Sequence, residues 1–135
     1  MTYARENMPE LLRRHDINPT HQRIEIAFAL FSHQEHLSAD QVMAIVNSRH
    51  CETSKATVYN TLNLFTEKGL IREVIVDPNK VFYDPNTTPH FHLYEVDSGR
   101  LSDIDASDVH ISGLPALPPG MTTEGIDLIV RVRRT

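Results

Sequence analysis

Two histidines separated by one residue stand out in the stretch 82-FYDPNTTPHFHLYEVDSGRLSDID-105. In an extended strand, residues two apart point to the same side, so His90 and His92 converge. Asp84 precedes this pair and Asp103 follows it, and such groups are costly to bring together without a cation. Nitrogen and oxygen ligands suit Mn²⁺, Fe²⁺ or Zn²⁺. A pair of solvent-exposed histidines on a strand fits the same spacing, so both interpretations stay open.

A third histidine, His36, lies at the entry to a predicted helix in the other half of the chain. If His36 and the later ligands bind one ion, the ion fixes the relative orientation of the two halves. The only cysteine is Cys51, which excludes an internal disulfide and a four-cysteine zinc site. We expect Cys51 to be a small buried residue or to fill a helix end.

The elements that position these groups begin with helices, because apolar residues recur at helical spacing through residues 1–69. Ser38 followed by Gln41 is a capping-box pattern that predicts the start of one helix. Ser54 predicts the start of the next, and Gly69 predicts its end.

The helix predicted over residues 54–70 has two distinct faces. Val58, Leu62 and Phe65 share one face and are expected to pack inward. On the other face, a tyrosine ring is suited to a thymine methyl group and an asparagine to adenine. The candidate DNA-binding residues, with an arginine from an earlier helix as phosphate contact, are Arg23, Lys55, Thr57, Tyr59 and Asn60. An ordinary helix with a solvated polar face fits this pattern equally well.

The periodicity then changes from helix to strand. Alternation in 70-LIREVIV-76, a DPNK turn and 81-VFYD-84 predict a hairpin. Helices followed by a hairpin are typical of a winged helix-turn-helix, although a small α+β enzyme can begin in the same way. The predicted fold is α+β, with an N-terminal winged helix-turn-helix domain over 1–84, a linker over 85–90, and a small C-terminal α/β dimerisation and metal-sensing domain over 91–135.

The predicted C-terminal domain contains short strands. HFHLYEV and GRLSDI flank a DSGR turn, and the prolines of 113–125 argue against a helix there. The last stretch, 126-IDLIVRVRR-134, predicts a closing strand. Its shared apolar face comprises Ile126, Leu128, Val130 and Val132.

Composition limits the classes of function. At 135 residues with 40% hydrophobic side chains, the chain can form two small lobes, which favours a homodimer that shares a core. A net charge of −5 argues against non-specific nucleic-acid binding by charge alone. A cation bound among the later carboxylates would reduce their repulsion of DNA. The absence of an apolar run long enough for a bilayer, or of a signal-peptide core, favours a cytoplasmic protein without membrane contact.

Three segments together resemble a known family. The helix 56-ATVYNTLNLFTEKGLI-71, the segment 36-HLSADQV-42 and 90-HFH-92 are similar to the Fur superfamily of metal-responsive transcription regulators. Two further stretches, REVIVDPNKVFYDPNTTPHFH and LPPGMTTEGIDLIVRVRR, look most like the Irr branch, the iron response regulators. The resemblance implies a homodimeric repressor of iron and haem homeostasis genes that binds an inverted-repeat operator and is not an enzyme.

The resemblance also implies roles for individual residues. Tyr59 matches the family's base-contacting tyrosine, and Arg23 matches its phosphate-contacting arginine. A regulatory divalent metal, Fe²⁺ or Mn²⁺ with Zn²⁺ as an in vitro substitute, would lie between the domains. Its implied ligands are His36, Asp84, His90, His92 and Asp103.

Departures from the family pattern bear on other cofactors. The first cysteine pair of the structural zinc site would fall at Glu95 and Ser98, so that zinc is not expected. Irr-like proteins carry three consecutive histidines where this chain has His90, Phe91 and His92, and no cysteine–proline pair occurs. Haem is therefore a weaker candidate ligand than a divalent metal.

Two alternative functions use the same cluster. The spacing of Asp84 and Asp103 around the histidines resembles the peroxide-sensing PerR pattern, in which bound Fe²⁺ promotes oxidation of a histidine ligand. A metallohydrolase with an open coordination position is the alternative from a different class of protein.

Overall fold

A computed structural model of the protein describes residues 3–33, 36–49 and 52–135. The prediction for Cys51 concerns a residue outside these ranges. Among the helices of the described ranges, none combines the length and the apolar character needed to span a bilayer.

The fold is α+β, as predicted, and divides into two compact units, residues 1–87 and residues 88–135. The first unit is a winged helix-turn-helix, in which α-helices precede a two-stranded sheet. The second unit is built on a three-stranded sheet and contains one 3₁₀ turn, Ala106–Asp108. The helices are α1 (Met8–Arg14), α2 (His21–Ser32), α3 (Ala39–Ser48) and α4 (Lys55–Glu67). The strands are β1 (Arg72–Asp77), β2 (Lys80–Asp84), β3 (His90–Glu95), β4 (Arg100–Asp105) and β5 (Ile129–Val132).

The helix starts follow the predicted capping chemistry. The Ser38 hydroxyl accepts the Gln41 N–H at 3.3 Å, and the Gln41 side chain accepts the Ser38 N–H at 2.9 Å. Ser54 accepts the Thr57 N–H at 3.1 Å at the start of α4. After α4, Gly69 adopts φ +75°, a left-handed conformation that ends helices and that glycine tolerates best.

The core of the first unit lies between its helices. Val58, Leu62 and Phe65 of α4 are buried, as predicted, and share the apolar cluster with Val42 and Val46 of α3. Burying a large apolar side chain contributes about 1.5–3 kcal/mol, so this cluster fixes which face of α4 points outward.

The predicted hairpin forms the wing. β1 and β2 pair antiparallel from Arg72 opposite Asp84 to Asp77 opposite Lys80. The turn is closed by the Asp77 carboxylate, which accepts the Asn79 N–H at 2.8 Å. Each strand therefore ends at a position fixed by the register, and β2 ends at Asp84.

One isolated bridge joins β2 to the segment before α3. Leu37 pairs antiparallel with Tyr83, and the Tyr83 N–H donates to the Leu37 carbonyl at 2.8 Å. The residues next to this bridge, His36 and Asp84, are thereby placed opposite one another.

The sheet of the second unit has the order β4-β3-β5. β3 and β4 form the predicted hairpin, whose turn contains Gly99 at φ +74° with its N–H 2.8 Å from the Glu95 carbonyl. β5 lies parallel to β3 on the other side. Near the chain end, the Arg134 N–H donates to the Asp97 carboxylate at 2.8 Å, which connects the C-terminus to the hairpin turn.

The C-terminal strand is shorter than predicted. Residues 113–125 contain no helix or strand, as expected, but β5 starts at Ile129 rather than at residue 126. Ile126, Val130 and Val132 are exposed by 41%, 41% and 36%. The pairing of β5 with β3 begins with Ile129 opposite His92, and a strand forms only where a neighbouring strand supplies hydrogen bonds.

Candidate metal centre

The candidate ligands of the first unit are the pair His36 and Asp84. The Leu37–Tyr83 bridge sets them opposite one another, and the His36 Nε2 lies 3.0 Å from the Asp84 Oδ2. Their side chains are only 7% and 2% exposed. A buried imidazole and a buried carboxylate at this distance form a preorganised pair of ligand atoms.

The Asp84 carboxylate is oriented by the start of the linker. Its Oδ1 accepts the Asn86 N–H at 2.9 Å, an Asx turn. This hydrogen bond occupies one oxygen and directs the other, Oδ2, toward His36.

The candidate ligands of the second unit come from β3 and β4. The strand alternation places His90 and His92 on one face, as predicted, and both are buried, at 7% and 2% exposed. Asp103 is the antiparallel partner of His92. Its Oδ1 lies 3.5 Å from the His90 Nε2 and 3.7 Å from the His92 Nε2. This burial does not agree with the alternative of a solvent-exposed histidine pair, whereas the assignment as metal ligands stays a prediction.

The imidazole of His90 is oriented by a backbone carbonyl. Its Nδ1 lies 2.6 Å from the Thr88 carbonyl oxygen, which only accepts, so Nδ1 carries a proton and donates it. The Nε2 atom then faces Asp103, the arrangement of a metal ligand whose second nitrogen is held by a carbonyl. The His90 and His92 rings meet edge to face, with centroids 4.6 Å apart.

A second carboxylate on the same face was not predicted from the sequence. Asp105 is the antiparallel partner of His90. It is exposed, and the N–H and hydroxyl of Ser107 both donate to its Oδ1, which lowers the pKa of the carboxyl. Its spacing of two from Asp103 in the same strand was the available signal.

The donor distances fit a divalent cation. Two ligand atoms each about 2.1 Å from one ion lie about 3.0 Å apart at an octahedral angle and about 3.4 Å apart at a tetrahedral angle. The His36 Nε2 and the Asp84 Oδ2, which are 3.0 Å apart, meet this requirement. The distances of 3.5 and 3.7 Å from the Asp103 Oδ1 to the Nε2 atoms of His90 and His92 need small side-chain movements. The donors are imidazole and carboxylate, a set that suits Fe²⁺, Mn²⁺ and Zn²⁺.

The candidate DNA-binding residues of α4 lie on its outer face. Lys55, Tyr59, Asn60 and Asn63 are exposed, and the Lys55 ammonium lies 5.9 Å from the centre of the Tyr59 ring. Thr57 is half-buried, and its hydroxyl accepts the Ser54 hydroxyl at 3.0 Å. Thr57 therefore contributes to the cap of α4, and its contact with DNA stays a prediction.

Arg23 lies beside α4 in a groove of about 510 Å³. One of its guanidinium nitrogens donates to the Asn18 carbonyl at 3.0 Å, so its other N–H groups can face the groove. Two neighbours of Arg23 in the first turn of α2, His21 and Gln22, also line this groove and were not predicted from the sequence. The groove is lined by Thr20, His21, Gln22, Arg23, Thr57, Asn60, Thr61 and Leu64.

Comparisons with known proteins agree with this fold. The model of the ferric uptake regulator family matches residues 2–117. The peroxide-responsive repressor PerR of Staphylococcus epidermidis is 29% identical over 92 residues, which are 68% of this chain but only 61% of the relative. The match therefore spans less than two thirds of that relative's length.

Solved structures show the same fold at low identity. The ferric uptake regulator of Pseudomonas aeruginosa with manganese superposes with a TM-score of 0.71 at 23% identity, covering 94% of this chain and 97% of the other. For the peroxide stress regulator of Campylobacter jejuni, the TM-score is 0.64 at 22% identity, with 93% and 95% covered. At these identities the likeness concerns the fold alone. Since the family model matches most of the sequence, the chain belongs to the ferric uptake regulator family.

Proposed function

We propose that the protein is a cytoplasmic, metal-dependent transcription regulator that binds an inverted-repeat DNA operator as a homodimer. The observation that carries this proposal is the buried pair His36 and Asp84. It lies in the same winged-helix unit as α4, so a ligand bound there can act on the DNA-reading helix.

We propose that the candidate ligands of both units bind one ion. His36 and Asp84 offer two donors and His90, His92 and Asp103 offer three, whereas sites for these metals commonly use four to six ligands. Asp84 and His90 are six residues apart, so the chain between them spans at most about 22 Å. A metal held in this way would fix the orientation of the DNA-binding unit relative to the second unit.

For DNA recognition, we propose that α4 enters the major groove. Tyr59 and Asn60 would contact base edges there, while Lys55 and Arg23 would neutralise phosphates. The exposure of Tyr59, Asn60 and Lys55 supports this role. Winged helix-turn-helix proteins that bind as dimers read two half-sites related by two-fold symmetry.

The homodimer is supported by the second unit's lack of its own core. In its 88–135 range, the buried apolar residues are only Tyr94 and Leu101. Seven of the nine large hydrophobic side chains exposed in the described chain belong to this unit: Val96, Leu114, Leu117, Met121, Ile126, Val130 and Val132. An apolar surface of this kind on a unit too small to form a core is typical of an interface between copies.

The central experiment measures DNA binding with and without metal. Duplexes enriched from a random library would be titrated by fluorescence anisotropy at fixed salt, in chelator and in Mn²⁺ or anaerobic Fe²⁺. We expect metal to change the affinity by about tenfold or more, equivalent to about 1.4 kcal/mol. The variant His90→Ala/His92→Ala should lose this response. The control His110→Ala, at an exposed position outside the candidate ligand set, should keep it. Equal affinity in all conditions contradicts metal control.

We propose control of iron or haem homeostasis genes as the biological output, on the basis of the resemblance to the Irr branch. Peroxide sensing is the second candidate, because the S. epidermidis relative is a peroxide-responsive repressor. If peroxide sensing is correct, peroxide should add oxygen to His36 or His90 in the Fe²⁺ form but not in the Mn²⁺ form. Peptide mass spectrometry that finds no such addition excludes it. The relatives bear the names of regulators, which favours regulation over metal-dependent hydrolysis.

A further inference from the structure

Tyr83 lies where the candidate metal ligands join the core of the winged-helix unit. Its N–H donates to the Leu37 carbonyl at 2.8 Å, and this bridge places His36 opposite Asp84. Its side chain is only 3% exposed and belongs to the same apolar cluster as Val58 of α4. Tyr83 thus belongs both to the bridge that sets the ligand spacing and to the apolar cluster that includes the inward face of α4.

Tyr83 lies close enough to Glu73 and Tyr59 for their charges to act on its hydroxyl. Glu73 is its antiparallel partner in the wing. Burial raises the pKa of Tyr83, and the charges of Glu73 and Tyr59 raise it further. Tyr59, the adjacent residue to Val58, is 37% exposed and is the proposed base-contacting side chain.

We propose that Tyr83 is a positioning residue that couples the His36–Asp84 pair to Tyr59. This inference rests on the proposed function, since it requires that both metal and DNA bind, and it adds the route between them. A change in the spacing of His36 and Asp84 displaces the Leu37–Tyr83 bridge. The buried ring then shifts within the apolar cluster that also contains Val58 of α4, and a close-packed core transmits such a displacement instead of absorbing it.

The coupling makes Tyr83 different from an ordinary core residue. If its role is only structural, a substitution lowers stability and weakens DNA binding to the same extent with and without metal. As a positioning residue, Tyr83 instead sets the ratio of the DNA affinity with metal to the DNA affinity without metal. Linkage requires that the effect of metal on DNA affinity equals the effect of DNA on metal affinity, so both ratios must change together.

The test compares Tyr83→Phe, which removes the hydroxyl, and Tyr83→Leu, which removes the ring, with Tyr3→Phe as control. Tyr3 belongs to the same unit and packs edge to face on Phe31, away from the bridge. DNA dissociation constants would be measured in chelator and in Mn²⁺, and Mn²⁺ affinity would be measured by calorimetry with and without DNA. Thermal unfolding would establish that each variant is folded.

We expect at least one Tyr83 variant to reduce the metal-induced change in DNA affinity by about fivefold or more, with Mn²⁺ affinity in the absence of DNA unchanged within about twofold. Tyr3→Phe should leave the change intact. If both folded variants keep the wild-type ratio of DNA affinities with and without Mn²⁺, even where DNA binding is weaker, the coupling role is overturned. The proposed function would still stand. If the wild-type protein shows no metal response, the proposed function itself fails.

Discussion

The Nε2 of His36 lies 3.0 Å from the Oδ2 of Asp84, although the two residues stand before α3 and at the end of β2. The contact follows from the backbone bridge between Leu37 and Tyr83. In the proposed metal-bound protein, the same buried pair would supply two ligands.

Removing the imidazole of this pair should affect both stability and regulation. His36→Ala deprives the buried Asp84 of a partner, so we expect the metal-free protein to lose about 1–3 kcal/mol of unfolding free energy. The same variant should lose the effect of Mn²⁺ on DNA affinity. Urea unfolding in chelator and anisotropy with Mn²⁺ measure the two effects. His33→Ala serves as a control, since the His33 Nδ1 contacts only the helix carbonyl of Ala29 and the Ser32 hydroxyl among the described contacts. Wild-type metal response in His36→Ala would remove His36 from the ligand set.

Metal should stabilise the folded protein. A ligand that binds only the native state at a free concentration 100 times its Kd adds about 2.7 kcal/mol. We therefore expect Mn²⁺ to raise the melting temperature measured by circular dichroism, and EDTA to reverse the increase. His90→Ala/His92→Ala should melt at the same temperature with and without Mn²⁺. A shift that persists in this variant would place the stabilising ion at a different site.

Arg23 and Asn60 should affect DNA binding in different ways. Because Arg23 is proposed to contact phosphate, Arg23→Ala should weaken binding to all sequences and reduce the magnitude of the salt dependence by about one unit of log–log slope. Asn60→Ala should cost about 1–3 kcal/mol on the preferred sequence and relax base choice at one position. Anisotropy titrations over several salt concentrations and operator variants separate the two. Identical salt slopes for wild type and Arg23→Ala would contradict a phosphate contact.

The dimer should depend on the exposed apolar residues of the second unit. Val130 is 41% exposed on β5, so Val130→Asp would place a charge in the proposed interface and should yield monomers in sedimentation experiments. Ile75→Asp is the matched control, since Ile75 is 57% exposed but lies on the wing. Dissociation by Ile75→Asp and not by Val130→Asp would move the interface to the first unit.

Local chemistry in the sequence determined much of this architecture. The capping residues Ser38 and Ser54 predicted where α3 and α4 begin, because a helix start needs a nearby side-chain acceptor. The period of two predicted that His90 and His92 share a face, and the apolar period of α4 predicted its outward face. Each of these features depends on residues within a few positions of one another.

The tertiary structure decided the features that depend on distant pairing. That His36 meets Asp84 follows from the Leu37–Tyr83 bridge, which no local pattern encodes. That Asp105 faces His90 follows from the β3–β4 register. The late start of β5 at Ile129 has the same origin, because alternation marks an apolar face but a strand forms only where a neighbouring strand supplies hydrogen bonds. Sequence patterns thus specified which side chains share a face, and the pairing of remote segments decided which side chains meet.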